Sequence, residues 1–169
     1  NPGMILGSGR WTEGTSRFFS LIDSGFPFIP VGAATWVDVR DVVKAMYHLM
    51  CSDVKSQRFI LVAGIQSYND FFTTVAGALE KKINWISIPS VIQSLILPFA
   101  WLIARLSGKR PFITRESLRL SKNSFFYKTD KSLTIPGFNK YLPVHQSILD
   151  TVSAYQQQKR NNFFFPLNF

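Results

Sequence analysis

The sequence of 169 residues holds a single cysteine, Cys51, and two histidines, His48 and His145. One thiol excludes an internal disulfide and any cysteine-based zinc centre. No His-Glu-x-x-His and no carboxylate cluster is present, so the common zinc hydrolase pattern is excluded too. No Gly-x-Ser-x-Gly elbow marks a serine nucleophile. The dinucleotide fingerprint Gly-x-Gly-x-x-Gly is also missing; Gly7-Ser8-Gly9 is the only close glycine cluster. Acidic residues are scarce, with 10 Asp and Glu against 19 Lys and Arg, for a net charge of +9. Basicity alone is weak evidence for nucleic-acid binding, and no nucleic-acid module leaves a signature here. Cys51 is expected to be a small buried hydrophobe near a helix end, His48 a surface residue, and His145 a structural residue in the last helix. The lack of disulfides suits a cytoplasmic protein.

Apolar matter is plentiful. Hydrophobic residues make up 46% of the chain, which excludes disorder and suffices for a core. Sixteen phenylalanines are more than a small core hides safely, so some are expected to face another layer. The segment Val91 to Leu106 is the most apolar, yet Gln93, Ser94 and Pro98 interrupt it and Arg105 closes it. It falls short of the ~20 apolar residues that span a bilayer, so a buried helix kinked near Pro98 is expected. Basic residues crowd the stretch from Arg105 to Lys131, which would attract an anionic ligand if it is more than a solvated face.

One junction organises the chain. Thr35, Val37 and Val39 alternate with Trp36, Asp38 and Arg40, the period of a strand. Val42, Ala45, Met46, Leu49 and Met50 then recur at helical spacing. The period changes at Asp41, which is expected to cap the helix. Before the junction, Asn1 to Gly9 reads as a strand end and loop. Thr12 or Thr15 opens a helix bearing Phe18, Leu21 and Ile22, which Gly25 ends, and a short proline-broken strand follows at Phe28 to Gly32. After it, Arg58 to Ala63 reads as a buried parallel strand. Ser67 caps a helix whose apolar face is Tyr68, Phe71, Phe72, Val75, Ala76 and Leu79. Asn84 to Ile88 is a short strand. Helical turns are expected after Thr114 and Asp130, with a strand at Phe125 to Tyr127. Pro143 opens the last helix, with Val144, Ile148, Thr151, Val152 and Tyr155 inward.

The junction Trp-Val-Asp-Val-Arg-Asp-Val-Val resembles the strand-to-helix turn of the extended short-chain dehydrogenase/reductases. That family includes sugar-nucleotide epimerases and dehydratases, 3β-hydroxysteroid dehydrogenases and dihydroflavonol reductases. Asn1 to Gly9 resembles the segment leaving the family's sixth Rossmann strand. Arg58 to Gly64 resembles its "RYIL-x-G" strand, and Tyr127 to Gly137 with the final helix resembles its tail. The four stretches stand in family order and cover nearly the whole chain. The family's Gly-rich turn and catalytic Tyr-x-x-x-Lys are not matched; Tyr127 and Lys131 have the spacing but lie too late in the order.

The resemblance implies an α/β fold: the C-terminal part of a Rossmann-type doubly wound sheet with a mostly helical substrate-binding domain. Residues 1–169 would form one incomplete unit, with 1–9 and 41–66 belonging to the nucleotide-binding sheet and 10–40 and 67–169 to the substrate region. The implied function is that of an NAD(P)-dependent oxidoreductase or epimerase/dehydratase acting on a secondary alcohol or ketone of a nucleotide-sugar, steroid-like or flavonoid-like substrate. NAD or NADP would be held mainly by the N-terminal half, leaving this chain alone inactive. Pro2, Gly3, Met4 and Ile5 would touch the nicotinamide end, and Arg10, Trp11, Arg17, Trp36 and Arg40 would wall the substrate pocket. No catalytic residue and no metal ligand is expected within the chain. Its partners would be a small-molecule substrate, the N-terminal half and a possible second copy, with no nucleic acid and no membrane. The alternative is a non-catalytic module whose basic, aromatic surface meets a membrane or an anionic partner.

Overall fold

A computed structural model of the chain describes residues 1–88 and 130–164. The expected helices at 91–106 and after Thr114, the strand at 125–127, most of the basic stretch and Tyr127 lie outside the described residues.

The strand-to-helix junction is present, but it turns three residues earlier than the periodicity suggests. Strand β3 (Ala33–Asp38) passes directly into helix α2 (Val39–Met50), and Asp38, not Asp41, is the N-cap. The Asp38 side chain accepts from the Arg40 N–H at 2.8 Å, supplying an acceptor for a helix-start donor that the helix itself cannot satisfy. Asp41 lies inside the first turn and is buried; its carboxylate accepts from the Leu142 N–H at 2.8 Å, across the fold.

Strand β1 (Met4–Leu6) pairs parallel with β3, and β3 pairs antiparallel with β4 (Gly64–Ser67). A second small sheet joins β2 (Phe28–Pro30) to β5 (Ile86–Ile88) in parallel. The expected strand Arg58 to Ala63 is reduced to one parallel bridge, Pro2 to Leu61. Its backbone bonds are few: Gly3 N–H to Leu61 O and Leu61 N–H to Asn1 O at the start of the chain, and Ala63 N–H to Trp36 O on β3. That is too little pairing for a regular strand, although Phe59, Leu61 and Val62 are buried as expected.

Alternation along β3 divides the interior in two. Trp36 enters a large core with Leu6, Phe19, Ile22, Phe71, Val75 and Ile148. Val37 enters a smaller one with Val42, Ala45, Phe59, Leu61, Ile135 and Phe138. The first core is closed by α1 (Arg17–Asp23), α3 (Tyr68–Ala78) and the last helix α4 (Val144–Phe164). The second is closed by α2 and the segment around a 3-10 turn (Asp130–Thr134). Trp36 stacks on Phe71 with centroids 4.3 Å apart and planes 9° from parallel, so strand and helix meet through two aromatic faces. Gly3 permits the close approach of β1 to β3, since a Cβ there would stand 2.7 Å from the Thr35 carbonyl oxygen.

Two expectations about α2 are corrected. Cys51 is exposed, because the helix ends there and the chain turns away from the core. His48 is half-buried, its ring lying over Gly137 where a Cβ would approach within 2.4 Å. Among the described residues, no helix is long and apolar enough to cross a membrane.

The two serines that precede helices differ in a measurable way. Ser67 accepts from the Asp70 N–H at 3.0 Å and donates to its carboxylate at 2.7 Å, whereas Ser16 makes no side-chain cap bond at α1. Ser67→Ala is expected to lower stability by about 1 kcal/mol, the usual cost of losing a cap. Ser16→Ala should leave the urea midpoint unchanged. Equal shifts for the two would contradict the capping geometry.

Candidate functional site

The loop leaving β1 folds over the start of α2 and opens a cleft. Its walls are Ile5, Gly7, Ser8, Arg10, Glu13, Gly14, Thr15, Ser16 and Val39, around a volume of about 420 Å³. Gly7 makes this path possible. Its φ is +152°, and a Cβ would stand 2.5 Å from Val39 Cγ1. Any larger residue would have to push the loop off the helix.

The rim is polar. Arg10 and Glu13 face each other at 4.0 Å with most of each side chain exposed, a pair too solvated to fix either group. Arg10 can therefore turn to an anionic ligand at small cost. Gly7, Ser8 and Gly9 also present backbone with little side-chain cover, the local feature that lets a flat or phosphorylated ligand approach a chain closely.

Of the nine residues singled out in the sequence, the cleft brings together two, Ile5 and Arg10. Pro2 bridges to Leu61, and Gly3 donates to Leu61 O beneath Thr35. Met4 turns inward, where its sulfur accepts from the Tyr68 hydroxyl at 3.8 Å. Trp11 meets Phe19 and Tyr155 edge-on and donates its indole N–H to Gln158 at 2.7 Å. Arg17 opens α1 without lining the cleft. Trp36 does not line the cleft: it is fully buried against Phe71, and its indole N–H donates to Gln66 O. Arg40 does not line it either; two carboxylates hold it. Its guanidinium donates to both Asp38 oxygens at 2.8 Å and to Asp150 at 2.6 Å. The residues missed were Glu13, Val39 and the small ones, Gly7, Ser8, Gly14, Thr15 and Ser16. The three glycines at 3, 7 and 9 were the signal that could have found Gly7.

A second Tyr-x-x-x-Lys spacing, Tyr155 to Lys159, also escapes a reading by family order. Its geometry rules it out as an acid–base pair of the short-chain dehydrogenase type. The Tyr155 hydroxyl donates to Asp23 at 2.9 Å, and Lys159 binds the same carboxylate. Burial and the Asp23 charge push the Tyr155 pKa up to about 12, the opposite of what a proton-donating tyrosine near neutral pH requires. Among the described residues, no cluster of three metal-ligating side chains occurs.

No protein-family model matches the chain, and no curated protein matches it either. Solved structures do share its fold. The protein gox2253 superimposes with a TM-score of 0.68 at 22% identity, over 95% of this chain and 49% of that one. A nucleoside-diphosphate-sugar epimerase from Pseudomonas aeruginosa gives 0.66 at 15% identity, over 93% and 47%. A dTDP-glucose 4,6-dehydratase from Bacillus anthracis, in complex with NAD, gives 0.61 at 9% identity, over 94% and 44%. The chain thus spans about half the length of the structures it matches. Its fold is that of the C-terminal half of a Rossmann-type epimerase/dehydratase structure, a mixed α/β unit.

The carboxylates beside the cleft helix make opposite demands on pH. Burial works against the Asp38 charge, but the Arg40 bonds outweigh it and hold the pKa below the usual carboxylate range. Asp150 is lowered by Arg40 as well. Burial raises Asp41, and its bond from Leu142 only partly offsets this. Asp38 and Asp150 therefore stabilise the fold above about pH 4, a contribution lost as pH falls through their folded values. Asp41 runs the other way and costs stability at neutral pH.

Three substitutions separate these effects. Asp41→Asn keeps an acceptor for the Leu142 N–H and removes the buried charge, so stability at pH 7 should hold or rise. Asp41→Ala leaves that N–H unpaired and should cost about 1–3 kcal/mol. Arg40→Met leaves Asp38 buried without its cation. A loss of about 2 kcal/mol at pH 7 is expected from the charged hydrogen bonds broken. That variant should partly recover as pH drops from 7 toward 4, while the parent protein does not. Parallel stability curves for parent and Arg40→Met, measured by urea midpoints, would refute the assignment.

Proposed function

We propose that this chain is the C-terminal portion of an NAD(P)-dependent enzyme of the extended short-chain dehydrogenase/reductase family. The reaction would be an oxidoreduction, epimerisation or dehydration at a secondary alcohol or ketone. The observation that carries this reading is the cleft at the end of β1, floored by the Gly7 turn and edged by Arg10, within a fold shared by epimerases and dehydratases. The motif order described above supports it independently. The cofactor would be a nicotinamide dinucleotide; it supplies hydride chemistry when bound, and the protein orients it. Within this chain, Ile5 is the apolar contact proposed for the nicotinamide end, and Arg10 the group proposed for an anionic substrate. Pro2, Gly3 and Met4 would act at one remove, by fixing β1. A nucleotide-sugar substrate suits an exposed arginine better than a neutral steroid or flavonoid would, because a diphosphate rewards a mobile cation at the rim. The site would be shared, with the general acid and the pyrophosphate cradle supplied by the other half of the enzyme.

The test compares two preparations. The intact product of the natural gene should bind NADH or NADPH in the micromolar range by calorimetry. Residues 1–169 alone should bind neither below millimolar concentration. In the intact protein, Gly7→Ala should weaken binding at least tenfold by displacing the loop from Val39, and Arg10→Ala should raise KM more than it lowers kcat. Failure of the intact product to bind either nucleotide would sink the proposal.

A further inference from the structure

Helix α2 carries more apolar surface than its own sheet uses. At about 100° per residue, its apolar positions run from Ala45 through Leu49, Val42, Met46, Val39, Met50 and Val43 to Tyr47, about 200° of the circumference. A helix supported by one layer needs roughly half that arc. The sheet side takes only one edge of it, where Val42 and Ala45 are buried and Leu49 is half-buried. The rest stands in solvent: Val39 is 38% exposed, Val43 60%, Met46 56%, Tyr47 64% and Met50 83%. These five positions form a continuous stripe at steps of four, three, one and three residues. A helix apolar on two sides is the pattern of a helix packed between two layers.

The fold says what the second layer is. This chain covers 43–49% of three of the matched structures, which therefore hold at least as many residues again outside the equivalent part. Ile5, itself 37% exposed, lines the same cleft as Val39, so the apolar stripe runs into the cleft without a polar break. We infer that the outer face of α2, from Val39 to Met50, is the seat of the remaining α/β half of the doubly wound sheet, which covers it with an apolar helix face. This inference rests on the family reading and extends it to a specific surface. Methionine at two of the five positions fits a face that must adapt to a neighbouring body. The polar stripe of Arg40, Lys44 and His48 marks the side left outside that contact.

Thiol protection tests this. In a Cys51→Ser background, Met46→Cys and Val43→Cys place probes on the stripe, and Lys55→Cys, in the exposed loop after α2, serves as the control. Each is made in residues 1–169 and in the intact natural gene product, and labelled with dithionitrobenzoate. Both stripe thiols should react at least tenfold more slowly in the natural product, with Lys55→Cys equal in the two. Equal rates on the stripe would overturn the inference. Protection that grows with concentration in residues 1–169, matched by dimers in sedimentation, would overturn it in favour of a second copy. NADH binding is read on the same samples. A natural product that binds cofactor yet leaves the stripe open would reject this surface and spare the family reading; protection without binding would do the reverse.

Discussion

The Asp38 carboxylate is the point on which the described structure depends. It is 2% exposed, ends β3, caps α2 and binds the side chain of Arg40 through both oxygens. Through Arg40 it also reaches Asp150 on α4, a residue more than a hundred positions away. One buried carboxylate thereby fixes the strand-to-helix turn and ties it to the last helix. Such a charge is tolerated only because three donor contacts compensate its desolvation, two of them from a planar guanidinium suited to a carboxylate.

The last helix is fastened in the same manner along its length. Asp41 receives the Leu142 N–H just before α4 begins. Asp150 holds Arg40 two residues beyond the buried Ile148. Farther along, Asp23 on α1 accepts from Tyr155 and binds Lys159, with Lys81 at 3.3 Å on its other oxygen. Between these polar pins, Ile148, Val152 and Tyr155 fill the core beside Trp36 and Phe71. Apolar burial supplies the bulk of the attraction, and the carboxylates set the rotation and register of α4.

Much of this was legible in the sequence, for reasons that can be named. The capping pair Ser67 and Asp70 and the aromatic face of α3 depend on local spacing alone, and both are present. The parallel strand pair at β2 and β5 was found as two short strands, though not as partners. The cap of α2 was misplaced because Asp38 and Asp41 each precede a helix-compatible run. What decides between them is the tertiary pairing of Asp38 with Arg40 and of Asp41 with Leu142, which no local period encodes. Helical spacing puts Met46 and Met50 on one apolar face with Val42, Ala45 and Leu49, yet the sheet covers only the other edge of that face. The family resemblance places Trp36 and Arg40 at a substrate pocket, but neither lines the cleft. Their partners, Phe71 and Asp150, lie far along the chain and could not be read from a local motif. The cleft itself is built largely from backbone and small side chains, which give no compositional signal beyond glycine.

The cleft and the bare face of α2 share Val39, and that shared residue links binding to assembly. Val39 stands at the first turn of α2, under the Gly7 loop on one side and at the head of the exposed stripe on the other. A body that seated on the stripe would wall the open side of the cleft in the same step. Open, the cleft leaves Arg10 and Glu13 in water, where their mutual attraction is screened and any anion would compete with solvent for the arginine. Walled, the same charges would act at a lower effective dielectric, and the preference of Arg10 for an anion would strengthen.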